Sequence, residues 1–118
     1  MGVINHNAII ATTEINTEAN KAWAWVESLP EQEAFKFARG LPQTNRFETI
    51  ILVPDGSKEG WDESIAGANL RCKFRDYLKT RRMWNWVEVG FGEYGQKVLC
   101  GNNKNEYSDT EYHNTTED

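Results

Sequence analysis

Cysteine and proline are both scarce in this chain, with two and three residues among 118. Cys72 and Cys100 are not in a CxxC spacing, and two such residues read as reduced cytosolic thiols, not as a disulfide scaffold. Histidine is as rare, and His6 and His113 lie near the two ends, poor places for a positioned base or a metal ligand. HExxH, paired CxxC and EF-hand patterns are all missing, so neither a metal nor a cofactor is expected. No apolar run approaches the roughly 20 residues of a membrane span. The opening MGVINHNAII has no cationic segment ahead of a long apolar one, so no secretory signal is expected and the reading is cytoplasmic, with no membrane partner. A surplus of positive charge is missing too. The net charge of −5 argues against a specific nucleic-acid partner, because phosphate attraction needs a broad basic surface.

What is present is concentrated. Six cations lie between Arg71 and Arg82 (Arg71, Lys73, Arg75, Lys79, Arg81 and Arg82) against a single acid, Asp76. The rest of the chain is acidic, and from residue 103 to the end five acids face Lys104 alone. One basic patch on an acidic body suits a compact anion or an acidic partner surface. A length of 118 residues fits one domain, here residues 1–102, with 103–118 as an acidic polar tail expected to be disordered. Five tryptophans are enough for a small core.

Ala8 to Thr13 is a β-branched run and predicts a first strand. Asn16 or Thr17 is placed to cap a helix, with Ala19, Ala22, Trp23, Val26 and Leu29 on its apolar face. Pro30 closes that helix or opens a new turn. The stretch from Ala34 to Arg39 is ambiguous between strand and helix, and residues 40–45 read as a loop. Phe47 to Val53 is the clearest strand, and Pro54-Asp55-Gly56 turns the chain. Asp62 can cap a second helix whose buried stripe is predicted to be Ala66, Leu70, Phe74 and Leu78, with Gly67 weakening it by about 1 kcal/mol relative to alanine. Trp84 to Phe91 reads as a strand, with Gln96 to Cys100 pairing back. The order β-α-β-β-α-β-(β) predicts an α+β fold, with two helices on one face of a small mixed or antiparallel sheet.

Two patterns could carry binding. Arg71, Arg75 and Lys79 fall four apart, with Arg82 one turn on, in a row about 100° from Leu70, Phe74 and Leu78. Arginines bordering a buried face can fork onto phosphate oxygens, although a row of this kind is as readily a solvated face beside Asp76 and Glu63. In MWNWVEVGF, Trp84, Trp86 and Glu88 share one face, and Asn85, Val87, Val89 and Phe91 share the other, which reads as the core face. The indole pair could stack a base, at about 1–3 kcal/mol per base, form a subunit interface, or pack beneath a helix. PDGSKEGW is not a GxxxxGK[ST] phosphate loop, since Trp61 follows its second glycine, and its bland reading is a flexible turn. These patterns nominate Arg71, Arg75, Trp84, Trp86, Phe91 and Tyr94 as ligand-binding residues, with no catalytic residue.

ETIILVPDGSKEGWDESIAGANLRCKFRDYLK followed by WNWVEVGFGEYG resembles small phage-encoded proteins over roughly residues 7–100. Among characterised families it is similar to the Thoeris anti-defence sponge proteins, although no ligand-binding motif of that family is matched residue by residue. The resemblance implies a non-enzymatic oligomer that sequesters a cyclic ADP-ribose-type signal or a cyclic oligonucleotide in the bacterial host cell. A homo-oligomer is also expected because a nucleotide-sized pocket is hard to enclose in one small domain. The alternatives are a phage-encoded inhibitor acting through contact with a host protein, and a small enzyme acting on nucleotides.

Overall fold

A nine-residue β-branched segment, β1 (Asn5–Thr13), is the middle strand of the molecule. The structure is a computed structural model that describes residues 5–40, 46–56, 62–93 and 95–102. After β1 come α1 (Asn16–Glu27), the single turn α2 (Glu31–Ala34), β2 (Phe37–Arg39), β3 (Glu48–Leu52), α3 (Asp62–Lys79), β4 (Asn85–Gly92) and β5 (Gly95–Gly101). The strands form one antiparallel sheet in the order β2-β3-β1-β4-β5. The α+β class is as expected, and the ambiguous 34–39 stretch resolves into the end of α2 followed by a short edge strand. The 41–45 loop, the 57–61 part of the glycine-rich turn, Tyr94 and the acidic tail lie outside the described residues.

The helices share one side of the sheet. Ala19, Ala22 and Val26 of α1 and Leu70, Phe74 and Leu78 of α3 join Ile9, Ala11, Ile50, Leu52, Phe37, Trp84 and Trp86 in one buried cluster. Trp25 stacks on Tyr77 at 4.7 Å and lies 6.0 Å from Phe74, which locks α1 against α3 through flat rings. Three details differ from the sequence reading. First, Ile15 is the N-cap residue of α1 and no side chain caps it; Asn16 is already inside the first turn, where its Nδ2 donates to Glu48 Oε2 at 2.7 Å and its Oδ1 accepts from Asn20 Nδ2 at 3.1 Å. Second, Gly67, not Ala66, is the buried start of the α3 stripe. A Cβ at Gly67 would come within 1.9 Å of Asp55 Oδ2, so the missing side chain makes room for the partner of Arg71. Third, the faces of β4 are reversed. Trp84, Trp86 and Glu88 are buried, whereas Val87 and Val89 are half-buried and Phe91 is 44% exposed. The widest side chains fill the space beneath the helices, and no helix among the described residues covers the opposite side.

Candidate anion-binding site

Glu88 organises the helix side of β4. It is a buried carboxylate in a strand of tryptophan and valine, a setting that strongly favours paired charge. Arg75 Nη1 donates to Glu88 Oε1 at 2.5 Å, and Arg71 Nε lies 3.6 Å from Oε2. Arg71 Nη1 also reaches Asp55 Oδ2 at 3.3 Å. The four-residue spacing on α3 thus aims both guanidinium groups at the same strand. Burial works against the charge on Arg75, but its hydrogen bond to Glu88 and the carboxylate's charge prevail and hold its pKa up.

Cys100 reaches the same carboxylate. A register shift between Glu88 and Val89 sets Cys100 opposite Glu88, and Sγ donates to Oε1 at 3.5 Å. Burial pushes the Cys100 thiol up, and the charge of Glu88 and that hydrogen bond act in the same direction. The thiol is therefore held protonated, the poorly nucleophilic form.

Between the C-terminal end of α3 and the helix side of β4 and β5 lies a recess of about 430 Å³. Four cations line it, Arg75, Lys79, Arg81 and Arg82, and among the described residues no acid does. Leu78, Trp86, Cys100, Gly101 and Asn102 complete the wall. A Cβ on Gly101 would stand 2.8 Å from the Trp86 carbonyl oxygen, so glycine permits the close strand approach there. Asn102 braces the rim: Trp86 N donates to its Oδ1 at 3.0 Å, and its Nδ2 donates to the Trp84 carbonyl.

The four cations are not equivalent. Arg75 is committed to Glu88. Arg81 Nε lies 3.4 Å from Glu18 Oε1, and its guanidinium sits 5.3 Å from the Tyr77 ring centre. Lys79 and Arg82 are exposed and form no ion pair with any described residue. They are therefore the groups whose charge is available to a ligand. The carbonyl end of α3 opposes an anion with roughly half an elementary charge, less than two free cations supply. A volume of 430 Å³ lies within the range of small-molecule sites. A second hollow, between Asn16, Trp23 and Arg39, differs because its one cation, Arg39, is engaged by buried Glu48 at 2.7 Å.

The nominated residues are therefore divided. Arg75 and Trp86 line the recess. Arg71 points at the same carboxylate as Arg75, but it is held between Glu88 and Asp55. Trp84 is 1% exposed and donates from Nε1 to Glu18 Oε1 at 3.3 Å, so it is a core residue. Trp86, at 6% exposed, floors the recess without offering a full ring face. Phe91 is on the opposite face of the sheet, beside His6, and Tyr94 is outside the described residues. Lys79, Arg81, Arg82 and Asn102 were not nominated. The signal for Arg81 and Arg82 was the RR pair just past the end of the α3 stripe, where the chain turns back towards β4, and Lys79 stood in the four-residue basic row, whereas nothing local marked Asn102. Comparison with protein-family models, with curated proteins and with solved structures gives no match to this chain.

Proposed function

We propose that the chain binds a small phosphate-bearing ligand in the α3–β5 recess and retains it unchanged. The observation that carries this reading is the pair of cations that no described residue engages, Lys79 and Arg82, in a recess lined by four cations and, among the described residues, by no acid. Arg75 and Arg81 supply further donors, already oriented by Glu88 and Glu18. Preoriented donors lower the ordering cost of binding. The protonated Cys100 thiol is the one sulfur in the recess and favours retention over covalent chemistry. The ligand class proposed is a nucleotide-derived immune signal, of the cyclic ADP-ribose or cyclic oligonucleotide type. The role proposed is phage anti-defence by sequestration in the bacterial cytoplasm, without catalysis and as a homo-oligomer.

Thermal unfolding with cyclic ADP-ribose, cyclic dinucleotides and inorganic phosphate tests the reading. A fitting ligand at a hundred times its Kd stabilises by about 2.7 kcal/mol, a rise of roughly 10 °C for a domain of this size. Lys79→Ala with Arg82→Ala should abolish the rise and leave the ligand-free Tm within about 2 °C. The compound released on heating should be unaltered. A chemically changed product would make the chain an enzyme. No rise with any nucleotide, together with capture of a single host protein, would favour the inhibitor reading.

A further inference from the structure

The side of the sheet away from the helices carries a continuous apolar belt. Cross-strand register sets Ala38, Ile51, Ile10 and Val87 side by side across β2, β3, β1 and β4. A second row joins Ala8, Val89 and Val98. His6 and Phe91 stand at one end, with ring centres 5.1 Å apart, and Thr12 and Thr49 stand at the other, bonded through their hydroxyls at 3.1 Å. None of these positions holds Asp, Glu, Lys or Arg. Ile10 is 37% exposed, Phe91 44% and Val98 59%.

An antiparallel sheet with one wet face normally alternates apolar-in with polar-out. Here the two central rows of the uncovered face are apolar, with Lys36 at its β2 edge opposite Val53, and the charged side chains Arg39, Glu48 and Glu88 are on the helix side. Monomeric proteins seldom expose contiguous apolar patches beyond a few hundred Å². Five strands about 4.8 Å apart and four residue rows give a face of roughly 500 Å². Two such faces bury about 1,000 Å², the size at which specific interfaces begin.

We propose that this face is a homodimer interface, on which a second copy of the chain stacks its own sheet so that the helices lie outermost. A second copy is the occupant that fits best, because an apolar face is complementary to itself. An acidic or basic partner would leave its charges unmatched here. The two Thr residues and His6 form a polar rim around an Ile and Val centre, the usual pattern of a stable interface. Sheets stack about 10 Å apart, and side chains of this size interdigitate at that spacing. The recess is on the helix side, so dimerisation and ligand binding are separate properties and can fail separately.

Sedimentation velocity on the full chain, from about 1 to 100 µM, tests the proposal. The expected species is twice the 13.6 kDa chain mass. Phe91→Lys and Val98→Lys place like charges across the interface, and each should weaken association at least 100-fold with an unchanged circular dichroism spectrum. Ile65→Lys removes an equally exposed apolar side chain from α3 and should leave the dimer intact. A wild-type chain that stays single at 100 µM, a dimer that survives both lysines, or a dimer lost with Ile65→Lys would overturn it.

Discussion

The two faces of this sheet reverse the usual division of labour. The face covered by helices contains the charged nodes, Glu48 with Arg39 and Glu88 with Arg71 and Arg75. Among the described residues the opposite face carries no ion pair, and it presents Ile10, Val87, Val89, Phe91 and Val98 to its surroundings. A buried charge is retained at a desolvation cost, and its value lies in fixing geometry. Glu88 fixes Arg75 at the edge of the recess, and Glu18 does the same for Arg81. The helix side thus positions cations, and the open side offers the apolar surface proposed to receive a second copy.

The largest expected effect sets the two faces against each other directly. Trp84→Ala empties the most voluminous fully buried site among the described residues and should cost about 3–5 kcal/mol of unfolding free energy. Val98→Ala on the open face should cost under about 0.5 kcal/mol in the dilute single chain. Urea titration at low protein concentration measures both. Similar losses at the two sites would mean that the open face is already packed within one chain.

Glu88→Ala comes next. It strands Arg71 and Arg75 beside the core and should cost about 3 kcal/mol. Glu88→Leu combined with Arg75→Leu should recover most of that loss and yet weaken phosphate binding. That outcome would separate positioning from stability. If the double change leaves binding intact, Arg75 is not part of the site.

The smallest effect is a pH dependence. The hydrogen bond from Arg39, then that from Asn16, holds the Glu48 carboxyl below its usual range. A carboxylate with a depressed folded pKa gives stability that is present above its unfolded value, about 4.3, and lost as pH falls through the folded one. Glu48→Gln should therefore flatten the acid limb of the stability profile below about pH 4.5 and leave the neutral limb nearly parallel to wild type. An unchanged acid limb would show that the Arg39–Glu48 bond carries no net stabilisation.

Much of the fold was legible because its signals were local. The Ile-rich run of β3, the four-residue stripe Leu70, Phe74 and Leu78, and the Val–Trp density of β4 each specify their element. Which face of β4 is inside was not legible, because both faces are apolar and only the position of the helices decides. Asn16 was a sound cap by local chemistry, but the helix takes Ile15 as its N-cap residue, and the Asn16 side chain is shared between Glu48 and Asn20. The site was half legible. The spacing of Arg71 and Arg75 was visible, whereas the carboxylate they serve becomes apparent only once β4 is placed under α3. A lone Glu between Val87 and Val89 was the available signal, since a buried carboxylate requires a cation nearby.

Native mass spectrometry of the full chain, mixed in turn with cyclic ADP-ribose, a cyclic dinucleotide and inorganic phosphate, reads the occupancy of the recess itself. One intact anionic ligand per chain is expected on the wild-type protein, and none after Lys79→Ala with Arg82→Ala. Bare wild-type protein with every ligand, or equal loading of the double variant, would contradict it.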